Sequence, residues 1–179
     1  DTRRENLVIS RLIAARAALM QQSCAAIEEL NREFRGKSHA VVARALASRT
    51  HQLGPEWEAN FEGGAFVELL FGPGGEALRD DIAGQHALFV EHLHALCGDA
   101  QRVILCDTGL FGSTQRMLSA GIPHLRFETI QLARANYKGH DQSHFNRTVG
   151  LETEHDRFSP LDSRSYVLRY WQLIESLFE

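Results

Sequence analysis

The run from Val103 to Leu118, VILCDTGLFGSTQRML, constrains the fold of this chain more than any other stretch. Four apolar residues open it, Val103, Ile104, Leu105 and Cys106, and two of them are β-branched. A run this short, closed by Asp107, reads as a buried strand. Gly109 and Gly112 bracket the loop that follows, and Ser113-Thr114-Gln115 opens an amphipathic segment that reaches Ser119. Strand, glycine loop and helix start together present backbone N–H groups and the positive end of a helix dipole to an anion.

The residues downstream complete a βαβ pattern. Gly121-Ile122-Pro123 ends the helix. Phe127 to Ala133 then alternates apolar and polar side chains, the mark of a second strand. Strand, helix, strand in this order predicts a right-handed parallel unit with a crossover near the minimum length. The segment 134–139 leaves that strand at its C-terminal end, the edge on which open α/β sheets bind ligands. Arg134, Lys138 and Arg147 are therefore candidates to meet an anion held by the 107–115 loop, with ordinary surface charge as the competing reading. Thr148 to Leu151 reads as a third, short strand and Glu152 to Ser159 as polar loop. Pro160 to Ser163 leads into a last helix carrying Tyr166, Val167, Leu168, Tyr170, Trp171, Ile174 and Leu177. Tyr170-Trp171 is read as an apolar anchor and not as a base-stacking platform, because nothing basic and repetitive surrounds it.

The first part of the chain is helical. From Glu5 to Phe34 apolar residues recur every three or four positions with no Gly or Pro, which predicts one long helix. Gly36 stops it and Ser38 caps a second helix from Ala40 to about Leu53, forming a hairpin. Gly54 to Gly75 reads as an aromatic-anchored connector with one short helix at 65–71. It is not a nucleotide P-loop, since no strand precedes it and no Lys-Ser/Thr follows. Leu78 to Leu96 is the next helix, with Ile82, Leu88, Phe89, Leu93 and Leu96 as its buried stripe and Asp80 and Asp81 in its first turn. His86, His92 and His94 lack the spacing of metal ligands. The fold class expected is thus helix-rich α/β. Residues 1–75 form a helical region with a Gly/aromatic connector, and residues 76–179 hold a small Rossmann-like parallel unit. Packing of both as one compact domain is the alternative.

Charge and composition narrow the function. A net charge of −4 argues against a general nucleic-acid or anionic-membrane surface. Cys24, Cys97 and Cys106 have no paired spacing and sit among apolar residues, so buried free thiols of a reducing, cytoplasmic compartment are expected. The apolar runs fall far short of the ~20 residues of a membrane span. The charged start and the helical character of the last residues read as those of a piece of a longer protein.

Asp107 can play three parts: Mg²⁺ ligand or general base in catalysis, or a simple cap that accepts N–H bonds from around Gly109. Thr108, Ser113 and Thr114 add hydroxyls, Gly109 and Gly112 allow close backbone approach, and Gln115 is placed to orient a ligand. The Walker spacing and the GxGxxG fingerprint are both absent. The run has a faint likeness to the phosphoribosyl-pyrophosphate loop of type I phosphoribosyltransferases, but Thr108 stands where that loop has its second acid. DTGLFGSTQ more closely resembles a D-x-G-x-x-G-[ST]-x-Q element of uncharacterised haloacid-dehalogenase-like (HAD-like) predicted hydrolases, downstream of their catalytic module. The likeness covers about Gln85 to Gly121. The Asp-x-Asp pair of the hydrolase itself is missing, since Gly109 stands at its second position. The resemblance implies an accessory region.

Three functions follow as expectations. The first is a phosphate- or nucleotide-sugar-binding domain, accessory to a larger hydrolase or transferase, with a small anionic ligand cradled by residues 107–115. The second is an enzyme in which Asp107 works with a metal and a further acid, Glu128 or Asp141 being nearest by topology. The third is a helical interaction module that packs on the remainder of a longer protein or on a second copy.

Overall fold

A computed structural model describes residues 5, 7, 9–137, 139, 141–155, 170, 173 and 176. Its helices are α1 (Arg11–Met20), α2 (Cys24–Glu33), α3 (His39–Leu46), α4 (Gly63–Phe71), α5 (Glu76–Cys97) and α6 (Ser113–Gly121). Its strands are β1 (Arg102–Asp107), β2 (Arg126–Ala135) and β3 (Thr148–His155), with 3-10 turns at Pro55–Glu58 and Ser143–Arg147. The strands form one parallel sheet in the order β1-β2-β3, so the helix-rich α/β expectation holds. The last helix expected after Ser163 lies outside the described residues, apart from Tyr170, Leu173 and Ser176, and so does Lys138.

The long helix expected over 5–34 is two helices. The Gln22 N–H donates to Leu19 O and the Ser23 N–H to Ala18 O, which is a Schellman ending for α1. The position that glycine usually fills is Gln22, at φ +50°. Ser23 then caps α2, its hydroxyl accepting the Ala25 N–H at 3.2 Å. Ser38 stands at the cap position of α3 without a side-chain capping bond. Glu62 caps α4 through both oxygens, accepting the Gly64 and Ala65 amides at 3.0 and 2.7 Å.

The core is organised by α1. Ala14, Ala15, Ala17, Ala18 and Leu19 are buried on it, and the first four are small enough to admit another backbone. That backbone is α6. A Cβ built on Gly121 would lie 2.4 Å from the Ala17 carbonyl carbon, so the two helices touch main chain to main chain. Trp57, Phe66, Leu70, Leu78, Ile82, Leu93, Met117, Leu118 and Phe127 join the same cluster, which draws on both the helical and the α/β regions.

The sheet has an inner face toward the helices and an outer face. Phe127, Thr129, Gln131, Ala133 and Ala135 of β2 are buried, with Val103, Leu105 and Asp107 beside them on β1. The alternate residues Arg102, Ile104 and Cys106 are exposed. Gln131 pairs with Gly150 but Ala133 with Thr153, so β3 carries one extra residue there and bulges. β3 therefore runs on to His155 where polar loop was expected.

Two further expectations are corrected. Leu88 is 61% exposed, because α5 is covered on one side only. Cys24 and Cys106 are exposed and Cys97 is half-buried; all three thiols are free. Cys24 opens α2 at the helix break, and Cys106 faces outward from β1.

Asp81 ties α5 to the segment after α3. It accepts the Ser48 N–H at 2.9 Å, the Ser48 hydroxyl, and His51 Nε2 at 2.8 Å. Burial alone would raise its pKa, but the bonds from His51, Ser48 and the Arg49 amide outweigh that and hold it at about 2. Its carboxylate contributes stability that is present above its ordinary pKa near 3.8 and lost as pH falls toward 2.

Two predictions test this packing. Gly121→Val should destabilise the chain by about 3 kcal/mol, the upper end of overpacking costs, and lower Tm by roughly 10 °C in thermal unfolding. Stability measured by urea titration should decline from pH 4 to pH 2. Asp81→Asn, already less stable at pH 7, should lose most of that slope.

Candidate functional site

The site grows out of the C-terminal end of β1. Asp107 ends the strand on the inner face, paired with Gln131 of β2. Its Oδ1 accepts the Gly109 N–H at 2.9 Å, so the carboxylate folds back over its own loop. Asp107 therefore does what the capping alternative expects of it. Leu110 O accepts the Ala135 N–H at 2.8 Å and lays the loop along the end of β2. Gly112 then takes a left-handed conformation, φ +74°, and α6 begins at Ser113. A Cβ on Gly112 would stand 3.3 Å from the His144 ring. The backbone angle favours glycine here, and the imidazole would have to yield slightly to a side chain.

The first turn of α6 spreads its side chains over the fold. The Ser113 hydroxyl donates to Glu29 Oε1 of α2 at 3.0 Å, a buried contact. Gln115 lies across the inner face of the sheet. Its Nε2 donates to Phe127 O at 3.1 Å, and its Oε1 accepts the Thr148 hydroxyl at 3.1 Å. Arg116, largely buried, donates to Glu28 at 2.6 Å and lies 4.0 Å from Asp141. Among the described residues no acceptor takes the Thr114 or Gln115 amide. These are two of the donors that every helix start leaves over.

The expected residues thus divide. Asp107, Thr108, Gly109, Gly112, Ser113, Thr114 and Gln115 share one loop and helix start. Ser113 and Gln115 spend their side chains on Glu29, Phe127 and Thr148, and what they offer outward is backbone. Arg134 donates to Phe145 O and Thr148 O at 3.0 and 2.8 Å and lies 3.7 Å from Glu154, so it braces the β2–β3 connection. Lys138 lies outside the described residues. Glu128 is a residue of the outer face, paired with Arg126 at 2.7 Å. It cannot join Asp107, which faces the other way. Among the described residues no group of three or more His, Cys, Asp or Glu side chains is placed to hold a metal ion.

Sequence reasoning missed Glu28, Glu29, Arg116, His144 and Thr148. Glu28 and Glu29 look like the solvated side of a helix, and only the α2–α6 contact turns them inward. His144 packs edge-on to Phe111 and Phe145, with ring centroids 4.8 and 5.0 Å away. Its Nε2 lies against Phe111 O, an acceptor, and therefore carries the proton. Burial pushes its pKa below the ordinary histidine value, and Arg116 pushes the same way, against the Phe111 bond. A cleft of about 230 Å³ between α1, α2 and α6, walled by Leu12, Leu30, Phe34 and Met117, also reaches Glu29.

No known family, curated protein or solved structure matches this chain. No helix among the described residues is long and apolar enough to cross a membrane.

Two outcomes are expected. Gly112→Ala should cost about 1–2 kcal/mol through left-handed strain alone, read by denaturant unfolding. In ¹⁵N-detected NMR the His144 imidazole, protonated at Nε2, should stay neutral to lower pH than an ordinary histidine. Since its pKa is depressed in the fold, it adds stability above pH 6.5 that is lost as pH falls below.

Proposed function

We propose that this chain is a phosphate- or nucleotide-sugar-binding α/β domain that serves as the accessory part of a larger hydrolase or transferase. The observation that carries the reading is the pair of amides, Thr114 and Gln115, left without an acceptor at the start of α6. They stand at the carboxyl edge of a parallel sheet, where the helix dipole adds a positive potential. Thr108 and Thr114 bring hydroxyls to the same edge, both half-buried. In this reading Asp107 shapes the loop through Gly109, and the ligand meets the backbone beyond it. The D-x-G-x-x-G-[ST]-x-Q likeness to HAD-like predicted hydrolases supports an accessory part. The loop 107–115 contains one acid, so any Mg²⁺ would arrive on the ligand's own phosphates.

Glu29 narrows the reading. Its carboxylate already takes the Ser113 hydroxyl, so part of the positive end of α6 is answered from within. The remaining donors suit one phosphate group better than an extended polyanion.

A second reading has its own observation. Ile104, Val149 and Leu151 are 43, 53 and 68% exposed on the sheet. Parallel sheets are ordinarily covered on both faces, so this side favours an interaction module that meets the remainder of a longer protein or a second copy.

Calorimetry with inorganic phosphate and UDP-glucose, with and without Mg²⁺, tests the binding reading. The intact chain should bind, and Thr114→Pro should weaken binding about tenfold or more. Proline in the first turn removes one N–H that has no partner within the helix. Absence of heat with every probe, or full binding by Thr114→Pro, would reject it.

A further inference from the structure

The inner face of the sheet holds polar atoms that the fold leaves unanswered. Gln131 is 0% exposed, and neither its Oε1 nor its Nε2 has a hydrogen-bond partner. The Thr129 hydroxyl, two residues earlier on the same face, has none either. His144, 8% exposed, lacks a partner at Nδ1. Buried polar groups are paired as a rule, and each one left bare is destabilising. Two such side chains together on one strand face call for a reason.

Their placement supplies it. Gln115 spans from Phe127 to Thr148, whose strand partner is Thr129, so the first turn of α6 lies over that level of the sheet. Gln131 is one inner-face step further toward the carboxyl edge, beside Asp107, whose carboxylate holds the start of the loop that leads into α6. His144 closes the other side, against Phe111 and Gly112. The strip thus lies on the face that the Gln115 side chain crosses and at the carboxyl edge where α6 begins.

The chemistry of these atoms is mixed. Gln131 Nε2 offers two donors. Gln131 Oε1 and His144 Nδ1 are acceptors, the latter because Nε2 holds the proton. Thr129 can be either. A bare anion has no hydrogen to give those acceptors, whereas a hydroxyl both gives and receives. The geometry points to a ligand whose phosphate rests on the start of α6 and whose adjacent hydroxyl groups are read by Thr129, Gln131 and His144: a phosphate ester of a polyol or sugar. This rests on the phosphate-binding reading above and specifies its substrate class.

The test compares two probes of equal charge, glucose 1-phosphate and ethyl phosphate, by calorimetry on the full chain. Glucose 1-phosphate should bind at least tenfold tighter, and Gln131→Leu should erase that preference. Because the variant removes two unanswered polar atoms from a buried site, its Tm should hold or rise by a few degrees, which separates lost recognition from lost fold. His144→Phe, close in shape, should also reduce the preference. Equal affinities for the two esters would overturn the inference and assign the strip to buried water, leaving the phosphate reading in place. Binding of neither ester, nor of inorganic phosphate, would overturn both.

Discussion

The contact between α1 and α6 is the constraint on which the rest of the molecule depends. Gly121 has no room for a side chain against Ala17, and the alanine face of α1 exists to make that approach possible. α6 is the crossover between β1 and β2, so whatever seats α6 also seats the sheet. The same contact brings the first turn of α6 up to α2, where Ser113 meets Glu29 and Arg116 meets Glu28. Helical region and sheet are thereby locked through one close-packed pair, and the loop after Asp107 inherits its position from it.

A helix start beside a parallel strand is common, and what separates this one is how its polar groups are distributed. Two carboxylates already serve it from inside. Asp107 holds Gly109, and Glu29 holds Ser113. The donors left over are few and lie next to a strand that buries a glutamine where an aliphatic residue would pack better. Arg116 is neutralised by Glu28 and does not offer its charge outward. The site is therefore weakly cationic, and discrimination in it rests on hydrogen-bond geometry more than on charge.

Local pattern carried much of the fold. The strand, loop and helix from Val103 to Gly121 were legible because β-branched residues, two glycines and a Ser-Thr pair each point to one conformation. β2 was legible from alternation. The break between α1 and α2 was not, because Gln22 takes the turn that a glycine would have announced. The extension of β3 was hidden by its bulge, which spoils the two-residue period over Gly150 to Thr153. Leu88 and Cys106 show the limit of composition: each sits in an apolar run, yet both side chains are exposed. The loop of the site could be read from its own residues. Its walls could not, since Glu29, His144 and Thr148 come from distant segments and none lies in a recognisable motif.

The alanine face of α1 also sets the order in which this protein can assemble. Its seat on α6 is filled by residues that come far later along the chain, with α2 to α5 and β1 in between. Loop-closure entropy must be overcome before that seat forms, which places the decisive step late in folding. Proteolytic pieces that separate α1 from α6 would leave both without their natural neighbour.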